Sequence, residues 1–305
     1  MLATPMDVLS QFPVRKTKQQ KQDFRDAVQA YVTGMGYPVA VEEGSFDSRN
    51  MIIGDPEKAK ILVTAHYDTP ARMPWPNAIA PTSLVTSILK SIPTIALFWI
   101  GGYFGGYFLG RGKFLLSLLV FSCLIGLFML MRVGPANKSN ANDNTSGVVT
   151  VLEIIRTLLP AHRDQVCFVL FDLEEAGLIG SESYRKAHKE ATEHQVVLNL
   201  DCVGDGDEIV FFPSKKLKQD SGKMAWLKRC GGYFGQKKIT IYEKGFSNYP
   251  SDHKHFPVSA GIGAFHRNKG KKLFLTRIHT HRDTVLEETN VNILRACIST
   301  LITQQ

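Results

Sequence analysis

Between Ser83 and Met131 the chain runs for 49 residues without an aspartate or glutamate, and with only three charges, Lys90, Arg111 and Lys113. Ile92 to Leu109 and Phe114 to Met131 are uncharged stretches of 18 residues each, separated by Gly110-Arg-Gly-Lys113. As helices rising roughly 1.5 Å per residue, each reaches about 27 Å, against a hydrocarbon core of roughly 30 Å. The expectation is an inserted two-helix transmembrane hairpin over 83–132, in contact with a lipid bilayer through 92–131. Gly101, Gly102, Gly105, Gly106 and Gly110 give GxxxG spacing three times over. Four-residue spacing stacks the glycines on one face, so the Gly101–Gly110 face is expected to take a helix-packing partner. A buried soluble hairpin, or a lid, is the alternative.

Both ends of such a hairpin lie on one side of the membrane. Lys90, Arg132 and Lys138 flank that side and Arg111 and Lys113 the turn, so the positive-inside count barely discriminates. The opening MLATPMDVLSQFPVRK has no apolar core of signal-peptide length before its charges. The polar part is therefore expected at the cell membrane, on its cytoplasmic side.

The whole chain has 305 residues, 36 Lys+Arg, 28 Asp+Glu and a formal charge of +8. That composition excludes a disordered or collagen-like chain, and no basic cluster interleaved with aromatics points to nucleic acid. Cys123, Cys167, Cys202, Cys230 and Cys297 form no CxxC pair, and their odd number argues against a disulfide framework.

Outside the insert, the periodicity predicts helices over Lys16 to Tyr31, Ser146 to Leu159, Gly180 to His188, Ser221 to Cys230 and Val291 to Thr303. Strands are expected at Pro38 to Val41, Met51 to Ile53, Ile61 to Ala65, Val166 to Phe171, Val196 to Leu200, Ile209 to Phe212 and Ile239 to Tyr242. The fold class that follows is α/β: a three-layer domain with a mixed, mostly parallel central sheet covered by helices on both faces. The hairpin interrupts one domain, made of residues 1–82 and 133–305, because neither flank has enough strands to be complete alone.

Polar residues collect where the apolar runs end. Ile61 to Ala65 leads into His66-Tyr-Asp68, Val166 to Phe171 into Asp172-Leu-Glu174-Glu175, and Val196 to Leu200 into Asp201. Carboxyl ends of strands are where ligands bind in such sheets. Each signal alone has a bland reading: an ordinary histidine–aspartate pair, a solvated helix start, a helix cap at Asp143, a turn at Asp201, and His281 as a rival to His279. Together they supply two imidazoles and several carboxylates, a mixture suited to zinc or a similar divalent ion. In an HxD pair the carboxylate two residues on can hold the far ring N–H of a ligating histidine. Adjacent Glu174 and Glu175 must point differently, so one can bind metal while the other takes a proton.

In this order, His66-Tyr-Asp68, Asp143-Asn-Thr-Ser-Gly147, Glu174-Glu175, Asp201, Ser251-Asp-His253 and His279-Thr-His-Arg-Asp-Thr284 resemble the motifs of peptidase family M28, the co-catalytic di-zinc aminopeptidases. The resemblance spans about Lys16 to Thr303 with the hairpin left out. It implies a zinc-dependent exopeptidase acting on the N-terminal residues of peptides. Two zinc ions, or manganese or cobalt, are implied, with His66 and Asp201 on one, Glu175 and His279 on the other, and Asp143 bridging. Glu174 is implied as general base and acid, with a pKa above that of a solvated glutamate, and Asp68 as the residue orienting His66; His281 is implied not to be a ligand. Where some family members carry an oxyanion-stabilising tyrosine this chain has Asn248, which leaves Tyr249, Asp252 and His253 as candidates on the substrate side. Two other readings of the scaffold are a glutaminyl-cyclase-like aminoacyltransferase working with one metal and a catalytically silent, receptor-like binding module.

Overall fold

The computed structural model describes residues 2–73, 79–83, 101–268 and 272–304, without the side chains of 123–124 and 126–133. After a short helix α1 (Asp7–Gln11), helix α2 spans Lys18–Thr33. It starts two residues later than its apolar stripe suggests, because Thr17 and Gln20 form a capping box: the Thr17 hydroxyl accepts the Gln20 N–H and the Gln20 amide oxygen accepts the Thr17 N–H. Phe24, Val28 and Val32 form its fully buried face.

Ten strands follow: β1 (Val39–Glu43), β2 (Arg49–Ile53), β3 (Ile61–His66), β4 (Val166–Phe171), β5 (Val196–Leu200), β6 (Glu208–Pro213), β7 (Gly232–Phe234), β8 (Lys237–Ile241), β9 (Ser259–Arg267) and β10 (Leu273–Phe274). They make one sheet in the order β1-β2-β4-β3-β5-β9-β6-β8-β7, with β10 on β9. The centre, β4-β3-β5-β9, is parallel, and antiparallel pairs flank it. The chain is thus a mixed α/β fold, and strands from before and after the insert interleave in its sheet.

Alternation along the central strands sends side chains to two faces. Ile61, Val63, Val166, Phe168 and Leu170 join the larger core under α2, α5 (Gly147–Thr157) and α10 (Glu288–Thr303). Leu62, Cys167, Val169 and Phe171 join Tyr184 of α6 (Ile179–Ala187) and Phe256 on the other face. Three shorter helices complete the fold, α7 (Lys189–His194), α8 (Lys215–Gln219) and α9 (Ser221–Lys228). Among the described side chains, Cys167, Cys202, Cys230 and Cys297 are free thiols.

Strand β9 is central yet was not expected from its sequence, Ser-Ala-Gly-Ile-Gly-Ala-Phe-His-Arg. Its glycines are there for close approach: a Cβ on Gly261 would stand 2.4 Å from the His253 ring, and one on Gly263 would stand 2.7 Å from the Tyr249 hydroxyl. Missing side chains lower strand propensity but admit two rings onto the sheet.

In the insert, residues 101–110 are helical (α3) and α4 spans Phe114–Val133. The turn closes through the Gly112 N–H to Leu109 O, with Gly112 at φ 69°. The transmembrane reading finds no support here: among the described residues no helix is long and apolar enough to cross a membrane. Residues 92–100 of the first expected span lie outside the described ones, as do the α4 side chains of 123–124 and 126–133. The glycine face finds no partner there either. Ser117 on α4 donates to Gly105 O, but a Cβ at Gly102, Gly105, Gly106 or Gly110 would meet nothing within 4 Å, so no helix packs on that face among the described residues.

Gly261→Ala should cost about 1–3 kcal/mol through overpacking against His253. The drop in urea midpoint at constant slope measures it.

Candidate metal centre

The parallel strands β3, β4 and β5 end side by side, and each releases its polar residues at the same edge. His66 ends β3, Glu174 and Glu175 follow β4, and Asp201 follows β5. Two loops complete the cluster, one carrying Asp143 ahead of α5 and the other carrying His279.

The histidines face different oxygens of one carboxylate. His66 Nε2 lies 3.3 Å from Asp143 Oδ1, and His279 Nε2 lies 3.0 Å from Asp143 Oδ2. His66 Nε2 is also 3.6 Å from Asp201 Oδ1, and His279 Nε2 is 3.3 Å from Glu175 Oε2. Ligand atoms of His66, Glu174 and Asp201 converge within 4.8 Å of one another, as do those of His66, Asp143 and Glu175. A third convergent group, Asp143, Asp201 and Cys202, includes a thiol that the sequence reading left out.

This much negative charge in little water draws positive charge to itself. Burial works against a charged His66, yet the Glu174 carboxylate and the bonds to Asp143, Asp201 and Asp68 outweigh it and raise its pKa well above the ordinary value. His279 is raised in the same way, chiefly by Asp143 against the opposing effect of burial. Glu174 is pushed well above the usual glutamate range by burial and by Glu175, Asp252 and Asp201, against the lowering effect of His66. Glu175 is raised by burial and by the Asp143 charge, and its buried Oε1 has no hydrogen-bond partner among the described residues. Convergent carboxylates that pull protons onto neighbouring histidines, with an orphaned oxygen among them, fit divalent cations.

Backbone hydrogen bonds hold the ring of ligand atoms in place. Asp68 sits with Oδ1 3.4 Å from His66 Nδ1, and its two oxygens accept the N–H groups of Glu174 (3.1 Å) and Glu175 (3.2 Å). Asp283 does the same for the neighbouring loop, accepting the N–H groups of Asn142 (2.7 Å) and Asp143 (3.0 Å). Asn144 donates to Leu200 O at the end of β5, and its side-chain oxygen accepts the N–H groups of Gly147 and Cys202. Leu173, Cys202 and His279 all have left-handed backbone (φ 54°, 53° and 60°), a conformation that costs energy in residues with side chains and clusters at working sites.

Asp283 lies four residues after His279 in the same motif, and that place is a usable sequence signal for it. Arg15 had none. Fully buried, it donates to Tyr67 O, Phe12 O and the Thr145 hydroxyl, so it ties the His66–Asp68 turn to the Asp143 loop. Burial lowers its pKa to about 10 while Asp68 and Asp143 hold it up, and it stays charged at neutral pH.

Of the substrate-side candidates, Tyr249 donates its hydroxyl to Asp201 O at 2.6 Å, so its one proton is already committed. Asp252 is fully buried, and burial lifts its carboxyl to about 7. His253 is buried against Gly261, and burial depresses its pKa to about 4. His281 is exposed and stands outside the cluster.

A mixed sheet with a histidine–carboxylate cluster at the carboxyl ends of its parallel strands defines a metallohydrolase-like architecture. The chain belongs to peptidase family M28, whose family model matches residues 130–303. Aminopeptidase YwaD of Bacillus subtilis (strain 168) is 42% identical over 67 residues, which is 21% of this chain but only 15% of that curated relative. Among solved structures, a Zn-dependent exopeptidase from Parabacteroides distasonis superposes with a TM-score of 0.63 at 16% identity, covering 99% of this chain and 96% of its own. The LapA aminopeptidase of Legionella pneumophila gives 0.58 at 15% identity (99% and 68%), and a glutaminyl cyclase of Porphyromonas gingivalis gives 0.58 at 17% (96% and 93%). At such identities the likeness is one of fold.

Two outcomes are expected. Arg15→Met strands the carbonyl of Tyr67 and removes a buried charge beside Asp68 and Asp143, and it should destabilise the protein by roughly 3–5 kcal/mol in urea unfolding. For His253 the folded pKa lies below the unfolded value of 6.5. Below pH 6.5 the unfolded chain gains a proton that the folded one refuses until about pH 4, so stability falls as pH drops through that window, by up to about 3 kcal/mol. The stability difference between the wild type and His253→Asn should therefore shrink from pH 7.5 to pH 5.

Proposed function

We propose that this chain is a two-metal exopeptidase that removes N-terminal residues from peptides. The observation that carries the reading is Asp143, whose two oxygens face two histidines, one at the end of β3 and one on a separate loop. His66 and Asp201 would hold one ion, Glu175 and His279 the other, and Asp143 both, with zinc as the preferred ion and manganese or cobalt as substitutes. Bound there, a pair of divalent ions polarises the scissile carbonyl, acidifies water and anchors a free α-amine.

The chain's own groups do the rest. Glu174 takes a proton from the attacking water at its carboxylate and returns it to the leaving amine. A raised pKa suits that exchange near neutral pH. Asp68 keeps His66 turned toward the centre and pins the Glu174–Glu175 backbone, so acceptor and ligand diverge from one fixed turn.

We also propose attachment to a membrane through the apolar insert, with the catalytic domain on the cytoplasmic side. The support is exposure: Phe114, Leu115, Leu119 and Phe121 of α4 are all more than half exposed.

Glu174→Gln should lower kcat on aminoacyl amides by roughly 10²–10⁴-fold while metal content stays at two per chain. Retained activity would remove Glu174 from its role. One metal per chain with cyclisation of N-terminal glutamine would favour the glutaminyl-cyclase reading, and two bound metals without turnover would favour a silent binding module.

A further inference from the structure

The insert is joined to the metal centre by more than the chain itself. Its two legs pair antiparallel at the neck: the Arg72 N–H donates to Pro135 O (2.8 Å), the Asn137 N–H donates to Pro70 O (3.0 Å), and Ala71 bridges Ala136. Each leg then bonds the histidine loop, through the Met73 N–H to His279 O (2.8 Å) and the Asn137 side-chain amide to Thr280 O (3.0 Å). Four residue steps separate Asn137 from Val133, the last residue of α4. At a maximum of about 3.5 Å each they span no more than about 14 Å, so the loop that carries His279 is tethered to the C-terminal end of α4 within that distance plus the Asn137 side chain and one hydrogen bond.

The exposed residues of α4 form one broad face. Leu115 is 80% exposed, Phe114 and Leu119 60%, Phe121 52% and Leu118 51%. At 100° per residue these positions fall within an arc of about 160°, one broad apolar face of the kind an interfacial helix lays against lipid. Charge agrees. From Asp68 to Asp143 there is no intervening acidic residue, while Arg72, Lys90, Arg111, Lys113, Arg132 and Lys138 are basic. An anionic lipid surface attracts such a segment.

We infer that the substrates are peptides whose N-terminus is held at the lipid–water interface by an amphipathic or acylated segment of their own. The inference rests on the peptidase reading above and adds its substrate class. Enzyme and substrate then share one thin layer, and the free α-amine meets the centre at a raised effective concentration.

The test uses the full-length, metal-loaded protein with vesicles of phosphatidylcholine and phosphatidylglycerol. Two peptides share one N-terminal sequence, and one of them carries a C-terminal acyl chain. Expected are flotation of the protein with the vesicles and a kcat/KM at least tenfold higher for the acylated peptide. That preference should be lost in excess detergent and in a variant with Leu115, Leu118, Leu119 and Phe121 changed to Ser, whose rate on the plain peptide is unchanged. Equal rates on vesicles, a preference that survives detergent, or failure to float would overturn the inference while leaving the peptidase reading intact. Cleavage of neither peptide would instead sink the peptidase reading. The detergent comparison on the unaltered protein decides the matter if the variant does not fold.

Discussion

Everything at the functional edge of this protein answers to one electrostatic constraint: Asp68, Asp143, Glu174, Glu175 and Asp201 crowd into a volume a few ångströms across, largely out of water. Like charges so close and so desolvated repel strongly, and a chain holds them together only where positive charge compensates. Two histidines, pulled toward their protonated forms, supply some of it, and divalent ions would supply the rest. Arg15 adds a fixed positive charge behind the Asp68 and Asp143 loops.

Holding such a cluster takes rigid backbone, and the fold provides it by satisfying amides in pairs. Asp68 takes the two N–H groups of the Glu174–Glu175 turn and Asp283 those of the Asn142–Asp143 turn. A carboxylate that accepts two backbone donors is itself stabilised, so residues that look like spare acids serve as struts. The Asp68 strut also links β3 to the loop after β4, so the ends of neighbouring strands are bonded to each other. The neck of the insert is bonded into the same framework, which ties the end of α4 to the His279 loop.

Much of this was legible. Strands Val166–Phe171 and Val196–Leu200 coincide with their expected bounds because each is a continuous apolar run ended by a polar residue. Strand β9 was not legible, because Gly261 and Gly263 weaken its pattern, and the rings that require them come from Tyr249 and His253, more than seven residues away. The glycine stripe of the insert meets no partner among the described residues, since four-residue spacing is permission for close packing and brings no partner with it. Arg15 was invisible because a lone arginine near the start of a chain has no pattern to belong to, and its meaning comes from the Tyr67 and Thr145 atoms that reach it.

Sequence alone determined the order of the polar motifs, the strands that carry them and the acid-free apolar block between the first two, because these are properties of neighbours along the chain. The register of the sheet decided the rest. Only when β3, β4 and β5 pair in parallel do His66, Glu175 and Asp201 meet at one edge, and only the folded loops turn the two oxygens of Asp143 toward two different histidines. Tertiary structure also decided that Tyr249 spends its hydroxyl on Asp201 O and that the legs of the insert bond the His279 loop. Hydrogen bonds and charge act over a few ångströms in space, and the partners in these contacts lie between 48 and more than 200 residues apart in the chain.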